Sequence, residues 1–548
     1  MGVLLSLSPV LILLLAALAF YPLRRFSRIW PYFPLVALAL AFLLVIGASR
    51  LQDSAPVLAA AFVTPGELDL RLNFAPISIV FVALLLLAFA GWTLAGNLEG
   101  RRGWRASTLV AVAGALAFVL ADNWTTVVAA WIITDLGLFG WRLADHSDEQ
   151  WRGRAWRGLF MGLFGILAAL LGAVVLMSLG SSLRLGQSQA NGWAFDLALV
   201  AVWIRAGLYP FHTFLRRAQD SALAPGSVLP RRGLHPSPTP RAESILRVDD
   251  DFSPSVLSLS LGIYLLLRVV GANHAAPAFS EWGSIVVLAA LVLTAILALL
   301  SPEERAARAW AFQSISISLL LIPFLPVIPA QPALVIWLGL GFWNLAVLLV
   351  AARSFRPHTR RQPWLNVLWG AGILAALGLP LTPAFMGRVG FYSAALQANQ
   401  SFFLILLPVL TTLVLVPLCR AFLDAEAVED RTPTPREYAG LAFLLVPILI
   451  EGVLPFVFVG LLGRAAEDAS AFAYDALLHP ASAIEPIAII FAILLPLPIA
   501  FWLARSQPRW SVHLRRLARL VPWLDTLTIG QAGVSLVDSV ALFLRQAS

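Results

Sequence analysis

Four ionisable side chains, Asp135, Arg205, Arg388 and Glu451, fall inside stretches that are otherwise apolar. A charge surrounded by hydrocarbon is costly, so such residues mark ion or proton paths, or else structural ion pairs and hydrogen-bonded kinks. All 38 basic residues are arginine and none is lysine. A desolvated lysine can release its proton, whereas a guanidinium stays charged. The missing lysine also excludes a phosphate loop of the usual kind, a pyridoxal Schiff base and a retinal linkage. Proton chemistry here must use carboxylates, histidines, hydroxyls and water.

Two of these charges stand beside prolines. Arg205 belongs to Trp203-Ile204-Arg205-Ala206-Gly207-Leu208-Tyr209-Pro210-Phe211-His212. Pro210 removes a backbone donor and frees a carbonyl one turn earlier, which predicts a helix break next to Arg205. His212 follows near the mouth of that segment, as a structural histidine or a proton-path residue. Arg388 follows Gly378-Leu379-Pro380-Leu381-Thr382-Pro383, a second predicted break with Pro380 and Pro383. A broken helix beside a buried charge is how transporters build midplane polar sites. The breaks lie five spans apart, which points to an internal repeat, and the odd offset gives its copies opposite orientation.

The elements that must hold these residues are membrane helices. Hydrophobic residues make up 59% of the chain and charged residues 12%, too little charge for a soluble protein of this length. Apolar stretches long enough to cross a bilayer predict about fifteen spans, at 3–21, 32–48, 74–95, 106–121, 124–141, 158–180, 192–212, 254–271, 281–300, 309–327, 333–352, 364–385, 402–423, 438–463 and 484–504. The expected fold class is an all-α polytopic membrane protein. Arginines cluster in alternate loops, around Arg24, Arg101, Arg152, Arg216, Arg305, Arg353 and Arg505, while the intervening loops hold few, such as Arg71 and Arg184. By the positive-inside rule the N-terminus lies outside and the last span exits to the cytoplasm of a bacterial inner membrane. The first apolar run reads as a retained span rather than a signal peptide.

The same counts limit the function. The net charge of +8 follows from this loop pattern and from contact with anionic lipid, so no nucleic-acid partner is expected. The single Cys419 excludes an internal disulfide and a cysteine-held cluster, and the seven histidines are scattered. No metal, cofactor or redox centre is expected on the chain. Residues 216–253, rich in proline and mixed charge, read as a cytoplasmic loop. The tail 520–548 carries Val534, Val537, Ala541 and Leu544 at helical spacing and reads as an amphipathic helix.

The segment from Arg205 to Leu215 resembles the seventh helix of the antiporter-like membrane subunits of NADH:quinone oxidoreductase (respiratory complex I), relatives of Mrp-type cation/proton antiporters. The resemblance extends to Ala121-Asp122-Asn123-Trp124 leading to Trp131 in the fifth span and to Ala311-Phe312-Gln313-Ser314-Ile315-Ser316 in the tenth, and is clearest from Gly378 through Gln397. The resemblance covers roughly residues 70–425. It implies a fourteen-helix core of two inverted five-helix repeats, each with broken helices, and a midplane chain of polar residues that carries protons. On that frame the chain divides into N-terminal spans (1–105), a first repeat (106–271, with the 216–253 loop), a second repeat (281–425), C-terminal spans (426–519) and the tail.

This sequence departs from the family at the positions that matter most. The family's fifth-helix glutamate would follow Trp131, where Ile132 stands, and Asp135 lies one turn on and could substitute for it. The seventh-helix lysine falls on Arg205, the twelfth-helix base on Arg388, and the eleventh-helix basic position near Asn344. The eighth helix offers Ser255, Ser258 and Ser260 but no base. Arg205 could serve Asp135 as counter-ion but could not pass a proton itself. The resemblance implies a membrane-arm subunit of a complex-I-like oxidoreductase that contributes to redox-driven proton translocation, with other membrane subunits as partners and quinone bound elsewhere. A structural subunit with a dead proton path, and an Mrp-like exchanger or inorganic-carbon uptake subunit, remain the alternatives.

Overall fold

The computed structural model describes residues 2–23, 32–51, 70–94, 106–145, 149–185, 192–211, 252–271, 280–301, 304–325, 331–351, 378–380, 382–423, 435–453 and 484–506. Within a bilayer each backbone N–H and C=O must find a partner in its own segment, and these residues are helical almost throughout. The first half holds α1 (Gly2–Leu23), α2 (Phe33–Leu51), α3 (Pro76–Leu94), α4 (Ala106–Val119), α5 (Trp124–Asp145), α6 (Glu149–Ser178), α7 (Trp193–Ala206) and α8 (Phe252–Gly271). The second half holds α9 (Ser280–Leu300), α10 (Glu304–Ile317), α11 (Gln331–Ala351), α12 (Pro383–Gln397), α13 (Phe403–Leu423), α14 (Pro435–Val453), α15 (Ile484–Leu494) and α16 (Pro496–Ser506). Among the described residues, seven helical stretches are at least 18 residues long and apolar enough to span a membrane.

Consecutive helices pack side by side in the chain α4–α5–α6–α7–α8. Helix α8 then packs on α11, α9 and α10 pack on α13, α11 packs on α12, and α14 lies on α3. The outer faces stay apolar. On α6, Leu163, Phe164, Leu167, Leu170, Leu171 and Val174 are all exposed, a lipid-facing stripe at helical spacing. Small residues turn inward, with Ala111, Ala113, Ala115, Ala198 and Ala201 essentially inaccessible. In membranes such residues let helix backbones approach closely.

One end of the bundle is tied by loops. The segments at 71–73, 120–124 and 183–185 meet through backbone hydrogen bonds, Asn73 N–H to Leu120 O at 2.7 Å and Leu185 N–H to Asp122 O at 2.8 Å among them. Asn123 Oδ1 accepts from the Thr126 amide at 3.0 Å and from its hydroxyl at 2.6 Å, which caps the start of α5. These are three of the arginine-poor loops that the charge pattern places on one membrane face. Their meeting requires an even number of crossings between each pair.

The structure revises several span boundaries. The stretch at 192–212 is helical only to Ala206, and 309–327 becomes a 3-10 turn at Ser318–Phe324 after α10. That turn exposes carbonyls, and the Gln331 side-chain amide donates to Leu325 O at 2.6 Å and Pro323 O at 3.2 Å. The last span is two helices, with Pro496 starting the second, since proline cannot donate into the preceding turn. Beyond its first turn, helix α12 lies outside the expected spans, because Gly387, Arg388, Gly390 and Ser393 dilute its apolar pattern. It is nevertheless almost wholly buried. Helix α6 starts at Glu149, nine residues before the expected span, in a polar run without proline. The 216–253 loop, the 520–548 tail and most of the span at 364–385 lie outside the described residues.

Candidate functional site

Asp135 and Arg205 come together inside the helix chain. Arg205 Nη1 donates to Asp135 Oδ1 at 2.6 Å, and the two residues are 3% and 7% exposed. The second carboxylate oxygen accepts from Trp131 Nε1 at 2.9 Å. Trp131 and Asp135 are four residues apart on α5, so their side chains share a face. Ile132, at the place of the family glutamate, is 42% exposed. Asp135 therefore shares its face with Trp131 and not with Ile132.

The guanidinium also lies 5.1 Å from the Trp131 ring centroid and 5.5 Å from that of Phe118, within cation–π range. Its Nε and Nη2 donate no hydrogen bond to any described group. The two rings thus cover what the carboxylate does not. Close approach of α6 completes the site: a side chain at Gly162 would run into Asp135 Oδ2. Half-buried Arg142 lies against Gly158 on the same helix.

Arg205 sits where its helix stops. Gly207 takes a left-handed conformation at φ 64°, which costs glycine little and other residues more. The Gly207 and Leu208 amides fold back onto Ile204 O and Trp203 O. Pro210 then prevents the helix from resuming. The freed groups beyond the cap are met from α10: Gln313 Oε1 accepts from the Tyr209 amide at 2.9 Å, and its Nε2 donates to Gly207 O at 3.2 Å. The break predicted from Pro210 is present, with Gly207 as the residue that ends the helix.

Arg388 belongs to a different place. It is 9% exposed on α12, and its Nη1 donates to Thr411 Oγ1 on α13 at 3.3 Å. It borders a cavity of about 40 Å³ among α9–α13, together with Ser314, Ser318, Tyr392 and Thr411. Most of its wall is apolar, with Leu291, Leu338, Phe342 and Leu410 beside those polar groups. Gly378, at φ 64°, precedes the break before α12, Pro380 is exposed within it, and Pro383 is the first residue of α12. Glu451 is buried on α14. Ser260 on α8 accepts from Trp343 Nε1 at 2.6 Å. His212 lies outside the described residues, as does the side chain of Asn344, whose backbone is in α11. The structure joins Asp135 to Arg205 and places Arg388 at a separate, mainly apolar cavity with a few polar groups on its wall.

No protein-family model matches the chain. Uncharacterized proteins of two Mycobacterium tuberculosis strains are 32% identical over 123 residues, which is 22% of this chain and 19% of theirs. The chain thus spans about a fifth of the length of those relatives. NADH-quinone oxidoreductase subunit N 1 of Solidesulfovibrio magneticus is 22% identical over 402 residues, covering 67% of this chain and 82% of that protein. Among solved structures, a chain of the Mrp complex from Dietzia sp. DQ12-45-1b superposes with TM-score 0.71 at 16% identity, over 99% of this chain and 60% of the other. This is the antiporter-like membrane-subunit fold. A chain of respiratory complex I from Thermus thermophilus has the same fold at TM-score 0.57 and 17% identity, over 86% of this chain and all of the other.

In this antiporter-like chain the sequence motifs led to Asp135 and Arg205 but missed their support. Trp131 was visible as a motif residue, and its spacing to Asp135 could have given the hydrogen bond. Phe118, Gly162 and the role of Gln313 depend on neighbouring helices, which no local pattern specifies. Trp131→Phe keeps an aromatic ring near Arg205 but removes the donor to Asp135, together with indole atoms that pack against Gly165. It is expected to cost about 2 kcal/mol, as for a buried hydrogen bond to a charged group, measured by unfolding in mixed detergent micelles.

Proposed function

We propose that this antiporter-like chain is a membrane-arm subunit of a complex-I-like oxidoreductase and contributes to redox-driven proton translocation. In this reading residues 106–271 and 281–425 are inverted repeats, the N-terminus lies outside a bacterial inner membrane, and electron transfer takes place in partner subunits. The observation that carries the reading is the Asp135–Arg205 pair, buried at the broken end of α7 within this fold. A proton crossing here would have to protonate Asp135 and open the pair. Arg205 would hold the charge but pass nothing on. The likeness to both Mrp and complex I chains supports an antiporter-like role, and the proteins that co-purify in mild detergent would tell the two assemblies apart.

The test is proton pumping by the purified complex in vesicles, read beside its electron-transfer rate. Asp135→Asn is expected to lower protons pumped per electron with the complex intact, because loss of a proton-transfer group slows its step by about a hundredfold or more. Arg205→Lys should keep the charge and allow titration. Unchanged pumping in both variants would favour a second reading, a structural subunit with a closed path. The specific observation behind that second reading is the arginine itself: both carboxylate oxygens of Asp135 are occupied by donors, and its partner cannot give up a proton.

A further inference from the structure

The break in α7 and the Arg388 cavity share one helix. Gln313 on α10 takes both ends of its amide to the α7 break, at Tyr209 N and Gly207 O. The next residue, Ser314, faces elsewhere: its hydroxyl donates to Leu291 O of α9 at 3.3 Å, and it lines the cavity with Arg388. Ser318, one turn on, lines the same cavity and begins the 3-10 turn. Arg205 is two residues before Gly207, on the last turn of α7. A movement of the α7 end that draws Arg205 away from Asp135 would displace the backbone that Gln313 holds.

We propose that Gln313 is a positioning residue that couples the two charged centres. It fixes the end of α7 so that Arg205 meets Asp135, and it transmits opening of that pair along α10 to the cavity beside Arg388. The two hydrogen bonds make the contact bidentate, so it resists both translation and rotation of the α7 end. A buried amide also cannot detach without leaving two backbone groups unsatisfied. This refines the proton-path reading, on which its functional meaning rests, but the coupling is measurable without any pumping assay.

The test is a double-mutant cycle read by hydrogen exchange on the full chain in detergent. With Gln313 intact, Asp135→Asn should change exchange in peptides covering 314–325 by about threefold, within the range of coupling between linked sites. In the Gln313→Leu background exchange at 207–211 should rise, and the effect of Asp135→Asn on 314–325 should fall to within experimental error. Gln313→Glu, which keeps an acceptor for Tyr209 but no donor to Gly207, guards against a misfolded leucine variant and should give a reduced effect. A purely structural glutamine would loosen 207–211 and leave the response to Asp135→Asn unchanged. That result, or no response in the parent background, overturns the proposal. If the coupling holds while Asp135→Asn pumps normally, the proton-path reading fails and the coupling stands.

Discussion

Asp135→Ala is expected to destabilise the protein by about 3–5 kcal/mol, the cost of leaving a buried charge without its partner. Arg205 is 3% exposed, and the only hydrogen bond of its side chain among the described residues is to Asp135. Truncation would leave the guanidinium beside the Trp131 and Phe118 rings with no compensating charge. Removing both charges should behave differently. A double variant, Asp135→Leu with Arg205→Met, fills the site with apolar atoms and should recover most of the loss, because a buried ion pair repays little more than its own desolvation. Unfolding in mixed micelles separates the two outcomes. A single variant as stable as the parent would show that the pair is open to water.

Gly162→Val should produce an effect of similar kind by a steric route. The added carbons would occupy the position of Asp135 Oδ2, and that oxygen is already held by Trp131 at 2.9 Å. Either α6 moves away from α5 or the carboxylate leaves Arg205. We expect a loss of about 3 kcal/mol, at the upper end for overpacking. In an Asp135→Ala background the same substitution should cost much less, since the two changes act on one contact. Equal costs in both backgrounds would place the strain elsewhere.

These effects share a cause that is only partly written locally. The aspartate, the arginine and the glycine lie on three helices, at positions 135, 205 and 162. Pro210 and Gly207 could be read as a break, because proline and left-handed glycine act within a few residues of their own backbone. Gln313 as the group that satisfies that break could not be read, since it stands more than one hundred residues further along the chain. The extent of α12 was less legible in the apolar pattern, although the resemblance already placed Arg388 on a helix. Its glycines and polar residues lower the apolar signal that marks a span, yet they are the residues that let α12 pack closely and carry Arg388 into the interior.

The sequence by itself determined the class of the molecule. Its apolar runs require helices, because hydrocarbon offers the backbone no other hydrogen-bond partners. Its motifs pointed to the antiporter-like fold, and its lack of lysine set the chemistry available to Arg205 and Arg388. Tertiary structure decided the pairing: which face of α5 carries Asp135, which helix yields space for its carboxylate, and which side chain secures the broken end of α7. Those outcomes depend on non-local packing, where a glycine on one helix and a tryptophan on another hold the Asp135 carboxylate against Arg205.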